Sequence, residues 1–175
     1  MKIYAGFWQR VRAFVFDYLV ILGYLAGITL LFLILNRFSG GLQWVFASRI
    51  QAQATGLLIL TLPVTFYFAI SESSNRQATW GKQRVGLRVT DANVERISFL
   101  RSLARTLLKF VPWELSHTLI WSISFAPEAS STMVNYGFGL VYVLIGLNIA
   151  SMFMTKKHQT IYDLIAKTYV VKQTS

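Results

Sequence analysis

The sequence contains no cysteine and only two histidines, His117 and His158. Without cysteine there can be no disulfide, thiolate metal site or cysteine nucleophile, and two histidines are too few for a histidine-rich metal site. No HExxH, GxSxG or CxxC motif is present, and Trp80-Gly81-Lys82 lacks the flanking residues of a P-loop. The sequence therefore predicts no cofactor, no metal centre and no enzymatic activity.

Acidic residues are also scarce, because seven Asp and Glu stand against seventeen Lys and Arg, a net charge of +10. Such an excess can indicate a nucleic-acid-binding protein. Here the basic residues crowd next to the ends of apolar segments, as the positive-inside rule describes for membrane proteins. We therefore expect the partners to be the lipid bilayer and its anionic head groups, and no nucleic acid.

Four apolar segments stand out, at residues 13–35, 54–70, 107–126 and 132–154. A transmembrane helix needs about 20 predominantly apolar residues, and 54% of this 175-residue chain is hydrophobic. The pattern predicts an all-α integral membrane protein, with four transmembrane helices in a single domain over residues 1–175.

The basic residues also predict the orientation of these helices. Fifteen of the seventeen Lys and Arg lie in three stretches, which run up to Arg12, from Arg76 to Lys109, and from Lys156 onward. An excess of Lys and Arg is typical of cytoplasmic loops. We therefore expect both termini, the loop 71–106 and the C-terminal segment 155–175 to be cytoplasmic.

The cytoplasmic loop is expected to contain small structured elements. Residues 86–90 alternate between apolar and polar, residues 91–93 favour a turn, and residues 94–98 could return as a second strand, which predicts a β-hairpin. The β-branched stretch 168–171 could add a third strand. Ser98 is a suitable N-cap for a basic amphipathic helix over 99–110, and this helix is expected to lie along the inner membrane surface.

Asp17 is the only charged residue in the first apolar segment. A carboxylate near the centre of a transmembrane helix costs roughly 2.5–3.5 kcal/mol on insertion scales. Arg10 lies two helical turns earlier on nearly the same face, with the two Cα atoms roughly 10 Å apart. Either the two charges form a buried ion pair that orients helices, or Asp17 belongs to a site for a cation or a proton.

Three sequence blocks resemble those of one family. Residues 6–17, Gly-Phe-Trp-Gln-Arg-Val-Arg-Ala-Phe-Val-Phe-Asp, look like the opening of the RDD-family membrane proteins, a family named for one arginine and two aspartates. Residues 78–89 resemble its cytoplasmic Gly-Lys-basic segment, and residues 159–166 its C-terminal motif. The resemblance assigns these charges to Arg10, Asp17 and Asp163. It implies a bacterial cytoplasmic (inner) membrane protein, for which a transport role is proposed.

Asp163 has two interpretations. It could occupy the third position of a short helix capped by Thr160, where a carboxylate meets free backbone N–H groups. It could instead pair with Arg10, Lys82 or Arg84 and hold the C-terminal segment on the cytoplasmic side, and the family resemblance favours this second interpretation.

Glu114 and His117 are secondary candidates on the third apolar segment. They are three residues apart, so their side chains can touch on one helix. Ionisable residues inside a membrane are functional candidates by default. The neighbouring Trp113 and Trp121 could instead indicate that this stretch lies at the membrane interface.

Two functions from different classes follow from these residues. The first is transport of a small cation or solute coupled to Asp17, and since four helices are few to enclose a path, a homo-oligomer is expected with it. The alternative is a non-transporting scaffold or accessory protein, whose polar residues hold helices together and whose cytoplasmic module docks a partner. A wet cavity at Asp17 would favour transport, and a sealed polar contact would favour the scaffold.

Overall fold

Long helices dominate the fold, which a computed structural model describes over residues 3–39, 42–126 and 131–173. In chain order the helices are α1 (Phe7–Ser39), α2 (Arg49–Gly56), α3 (Leu62–Ser73), α4 (Trp80–Arg84), α5 (Phe99–Phe125), α6 (Ser131–Met154) and α7 (Ile161–Ile165). The strands are β1 (Leu87–Thr90) and β2 (Tyr169–Lys172), and a 3₁₀ turn, Leu42–Phe46, precedes α2.

A π-helical segment, Leu57–Thr61, joins α2 to α3, so that Arg49–Ser73 forms one continuous helical stretch. Pro63 follows this segment and has no backbone N–H, so the carbonyl of Ile59, four residues earlier, loses its usual helical donor. The Tyr24 hydroxyl on α1 donates to this carbonyl at 2.5 Å. The proline therefore creates a hydrogen-bonding contact between the first two long helices.

One uninterrupted helix, α5, takes the place of two elements that the sequence predicts separately. The hydroxyl of Ser98 accepts the Arg101 N–H at 3.3 Å, as expected of an N-cap, and the helix then continues through Pro112 to Phe125. Near its start the polar face is buried inside the protein, at Ser102, Arg105 and Thr106. The prediction of a separate surface helix is wrong, because this polar face packs against other helices and the chain does not break before the apolar part.

The small sheet pairs β1 with β2 in antiparallel orientation, with Val89 opposite Val170. The N-terminal segment adds to it, because Ala5 N–H donates to the Val170 carbonyl and Lys172 N–H donates to the Ile3 carbonyl, both at 2.9 Å. The strand predicted at 168–171 is thus present as β2. It joins the strand at 86–90, as the sequence suggests, and also the N-terminal segment, which the sequence did not predict to join the sheet.

The predicted β-hairpin between 86–90 and 94–98 is wrong. The Asp91 carboxylate accepts the N–H groups of Asn93 and Glu95 at 2.8 and 2.9 Å. Val94 adopts a left-handed φ of 71° in the same turn. This local bonding curls the chain into a compact loop, so the following residues lead into α5 without forming a strand, and β1 pairs with β2 instead.

Three helical stretches of the described residues are long and apolar enough to cross a membrane: Phe7–Phe38, Arg49–Ser73 and Thr132–Met154. They contain the first, second and fourth predicted spans. The third predicted span lies in α5, where Lys109, Glu114 and other polar residues lower the hydropathy. The fold is therefore mostly helical with three candidate membrane-spanning helices, and the count of four is not confirmed.

The N-terminal segment, the central loop and the C-terminal segment meet at one end of the helices. We call Ile3–Ala5, α4, β1, α7 and β2 together the sheet module. Apolar side chains from these parts and from their neighbours form its core: Ala5, Ala13, Leu87, Val89, Ile97 and Val170. This core places α4 and α7 beside the start of α1, where the charged residues of the family motifs lie.

Candidate functional site

Asp17 is buried, and three hydrogen-bond donors occupy its carboxylate. The Tyr67 hydroxyl on α3 donates to Oδ1 at 2.8 Å, and the Thr79 hydroxyl donates to Oδ2 at 2.6 Å. The Gly81 N–H of α4 also donates to Oδ1, at 2.7 Å. We call Asp17, Tyr67, Thr79 and Gly81 the Asp17 clamp. These charge-assisted bonds satisfy a buried carboxylate that would otherwise be costly.

The local sequence of α4 explains how it reaches α1 so closely. Thr79 is its N-cap, and its Oγ1 accepts the Lys82 N–H at 3.4 Å while its hydroxyl proton goes to Asp17. A Cβ on Gly81 would lie 2.7 Å from Cγ of Asp17 and even closer to the Ala13 carbonyl oxygen. Glycine is therefore required here for close approach, and a small residue at position 13 faces it.

A second polar cluster alternates in charge across five helices. The Lys82 Nζ is 2.7 Å from Glu72 Oε1, and Glu72 Oε2 is 2.5 Å from Arg105 Nη1. The Arg105 Nε is 2.8 Å from Asp163 Oδ1, and Asp163 Oδ2 is 2.6 Å from Arg10 Nη1. Both carboxylate side chains are fully buried. We call these five residues the ion-pair chain, and it connects α4, α3, α5, α7 and α1.

Asp163 makes both kinds of contact that the sequence leaves open. Its Oδ2 accepts the Thr160 N–H at 3.3 Å, and the Thr160 Oγ1 accepts the Asp163 N–H at 3.4 Å, which forms a capping box on α7. The same carboxylate pairs with Arg105 and Arg10. Burial alone would raise the pKa of Asp163, but these two guanidinium groups lower the pKa well below its usual range.

Arg10 and Asp17 do not form the ion pair that their spacing suggests. The Arg10 guanidinium lies against Asp163 and donates from Nη2 to the His158 carbonyl at 2.6 Å. Among the described residues, no cationic nitrogen lies within 4.0 Å of the Asp17 carboxylate. Arg10 is drawn to the C-terminal segment and Asp17 to α4, so they belong to different networks on the same helix.

The other two basic candidates near Asp163 have different partners. Lys82 pairs with Glu72, as described above. The guanidinium of Arg84 lies over the Trp80 ring, 4.9 Å from its centroid, as a cation–π contact. Of the three candidates, Arg10 is the one that pairs with Asp163.

Comparison with known protein families matches residues 4–167 to the RDD family, which is nearly the whole chain. This chain belongs to the RDD family. No curated protein and no solved structure matched it. In this RDD-family protein the three charged residues that give the family its name lie in two networks. Arg10 is ion-paired with Asp163, while Asp17 is held by the clamp.

Glu114 and His117 form a separate polar contact between α5 and the second long helix. The Thr61 hydroxyl donates to Glu114 Oε1, and the Gln53 side chain donates to Oε2 at 3.5 Å. The His117 Nδ1 is 3.6 Å from Glu114 Oε1, so the two residues touch as their spacing suggests. Because Thr61 ends the π-helical segment, this contact links the irregular part of the second helix to α5.

Two clefts lie next to the charged networks of this RDD-family protein. The first, which we call the basic cavity, has a volume of about 190 Å³, and its charged lining residues are Arg10, Asp17, Lys82, Arg105 and Lys109. The second, which we call the apolar groove, has a volume of about 360 Å³ and lies among α1, α3, α5 and α6. The two clefts share Phe14, Lys109, Met152 and Tyr162.

Sequence reasoning missed two members of the ion-pair chain, Glu72 and Arg105. Glu72 lies two residues after the second apolar segment, 54–70, and it is one of only seven acids. An ionisable residue in or beside a span is expected to be paired, and this position is the sequence signal for Glu72. Arg105 lies in the stretch 99–110 that the sequence predicts at the membrane surface, and its burial depends on helix packing that no local pattern shows.

Proposed function

We propose that this RDD-family protein is a non-transporting membrane scaffold or accessory protein, whose polar networks hold the sheet module rigidly for docking a partner. The observation that carries the proposal is the Asp17 clamp. Both carboxylate oxygens already accept hydrogen bonds from the protein itself. A transported cation or proton would have to compete with these three donors for the carboxylate.

The positive-inside rule supports placing the sheet module on the cytoplasmic side. The N-terminal segment, β1 and β2 are joined by backbone hydrogen bonds, so they share one side of the membrane. The basic residues concentrate in these same parts of the chain. The proposal therefore places the protein in the bacterial cytoplasmic membrane with both termini inside, and it assigns no catalytic step and no cofactor.

Cation-coupled transport is the second candidate, because Asp17 lines the basic cavity. The charge of the cavity lining argues against cation transport. Arg10, Lys82, Arg105 and Lys109 face the same space, and like charges disfavour the entry of a cation. The geometry therefore supports the scaffold better than a cation path.

Flux through proteoliposomes tests the proposal directly. We expect purified wild-type protein to move no alkali cation and no proton faster than protein-free liposomes, at any pH from acidic to alkaline. We expect Asp17→Asn to insert into membranes but unfold more easily, since the neutral amide loses charge-assisted bonds of roughly 1.5–3 kcal/mol each.

Glu95→Gln is the matched control, because Glu95 is an exposed acid on the central loop. It should unfold like the wild type. Wild-type flux that disappears in a fully folded Asp17→Asn protein would contradict the scaffold and establish the transport function instead.

A further inference from the structure

Lys109 is a partly buried lysine of α5 whose Nζ lies close to aromatic rings. Its Nζ lies 3.6 Å from the centroid of the Phe68 ring and 5.4 Å from that of Phe110. No carboxylate of the described residues lies within 4.0 Å of this nitrogen. Lys109 lines both clefts, so its charge is presented to the space where they meet.

The basic cavity is a better binding site for an anion than for a cation. Glu72 and Asp163, which neutralise Lys82, Arg105 and Arg10, lie behind the lining and are not part of the surface of the cavity. Among the described residues that line it, Asp17 is the one acid, and both of its oxygens accept hydrogen bonds within the clamp. A phosphate group in this cavity would meet several cations, of which Lys109 has no ion-pair partner to give up.

The volume of the basic cavity fits a compact head group. A single water needs only about 10–15 Å³ of such space, so a cleft of about 190 Å³ is large enough for a hydrated phosphate group.

The apolar groove continues from this cavity and suits a hydrocarbon chain. Leucine, isoleucine, valine and aromatic side chains from four helices make up most of its walls. At its edge Phe14, Tyr18 and Trp113 are each more than two-fifths exposed, so the groove can be entered from the side, where the bilayer surrounds the helices. A ligand that fills both clefts has a phosphate at one end and an alkyl chain at the other.

We propose that this protein binds one anionic phospholipid, with its phosphate at Lys109 in the basic cavity and one acyl chain in the apolar groove. The inference goes beyond the scaffold function and does not depend on whether a partner docks. The lipid comes from the leaflet next to the sheet module. Four basic residues lie around this cavity, Arg10, Lys82, Arg105 and Lys109, against three carboxylates, Asp17, Glu72 and Asp163. The phosphate of the lipid supplies the missing negative charge.

Lipid binding by the full-length protein in neutral detergent tests the proposal, with bound lipid counted by native mass spectrometry. The probes are phosphatidylglycerol and phosphatidylcholine with identical acyl chains. Both lipids carry the same phosphate, but phosphatidylcholine adds a choline cation, which the cations lining the basic cavity repel. We therefore expect wild type to prefer phosphatidylglycerol about tenfold or more. Lys109→Met keeps the long side chain but removes the charge, and it should lose this preference.

Lys156→Met is the matched control, since Lys156 is an exposed lysine near the end of α6. It and the charge-preserving Lys109→Arg should keep the preference. Ser116→Phe places a ring in the apolar groove and should weaken the binding of both lipids. The melting temperature of each variant in phosphatidylcholine shows whether it has folded.

Two results would overturn the proposal. The first is an unchanged preference for phosphatidylglycerol in a folded Lys109→Met protein, which would mean that the charge at position 109 does not select the lipid. The second is competition by inorganic phosphate that is equally strong in wild type and Ser116→Phe, with no selective lipid binding. The site would then take a free anion, and the groove would have no part in it.

Discussion

Arg10 and Asp163 should show a strong energetic coupling that Arg10 and Asp17 lack. The test is a double-mutant cycle with Arg10→Gln and Asp163→Asn, beside a second cycle with Arg10→Gln and Asp17→Asn. In the first cycle the two side chains are in direct contact at 2.6 Å. In the second they point to different partners, although their Cα atoms are roughly 10 Å apart on one helix.

The magnitude follows from burial and from the remaining partners. Removing one member of a buried ion pair typically costs about 3–5 kcal/mol, because the other charge is left uncompensated. Arg10→Gln should lie near the lower limit, because Asp163 keeps Arg105 at 2.8 Å. Contacting residues couple by about 0.5–3 kcal/mol, and we expect the upper part of this range for Arg10 with Asp163 and less than about 0.5 kcal/mol for Arg10 with Asp17.

Reversible unfolding in mixed detergent micelles measures the four free energies of each cycle. Circular dichroism follows the helices, and membrane insertion of every variant is checked first. A coupling between Arg10 and Asp17 that equals or exceeds that between Arg10 and Asp163 would refute the division of the charges into two networks.

Two further substitutions test the clamp and the ion-pair chain. Gly81→Ala should destabilise by about 1–3 kcal/mol from overpacking, because its Cβ would press on Asp17, whereas Gly139→Ala meets no atom within 4 Å and should be neutral or stabilising. The lowered pKa of Asp163 should make its contribution to stability complete above its unfolded pKa of about 3.9 and lost as pH falls through its folded pKa. Asp163→Asn should therefore flatten acid unfolding, and Glu95→Gln should not.

Both predictions are tested by measuring the free energy of unfolding, at neutral pH for the glycine variants and as a function of pH for Asp163→Asn and Glu95→Gln. Equal stabilities of the Gly81→Ala and Gly139→Ala proteins would show that α4 has room to move away from α1. An unchanged acid slope in Asp163→Asn would show that this carboxylate is not the group whose protonation weakens the folded state.

The helices could be predicted from the sequence, whereas their polar faces could not. Apolar runs indicate a span by length and composition alone, and three candidate helices contain three of the four predicted segments. The amphipathic pattern at the start of α5 has two solutions, a face toward head groups or a face toward protein. The second arrangement is adopted, because Arg105 pairs with Glu72 and Asp163, which come from distant parts of the chain.

Three charged residues of the site, Arg10, Asp17 and Asp163, could be predicted from the sequence, but their pairing could not. Asp17 and Asp163 could be recognised as acids that need partners, and the spacing of Arg10 and Asp17 suggested one. Asp17 is satisfied by neutral donors, two hydroxyls and one backbone N–H, which hydrogen-bond a buried carboxylate without a cation. Gly81 is the sequence signal for this contact, because a glycine at the start of a helix permits close approach of another backbone.

The dipeptide Gly81-Lys82 connects the Asp17 clamp to the ion-pair chain. Gly81 attaches α4 to Asp17 on α1, and Lys82 attaches it to Glu72 on α3. The chain then passes from α4 into β1, β1 pairs with β2, and β2 follows α7, where Asp163 returns to α1 at Arg10.

Besides the covalent link through Ala5 and Gly6, the sheet module is thus attached to α1 at Asp17 and at Arg10, by different bonds. Two attachments at different positions restrict the rotation of the module on α1 more than either one alone. The scaffold proposal therefore gives one arginine and two aspartates, which lie in two separate networks, a single structural purpose.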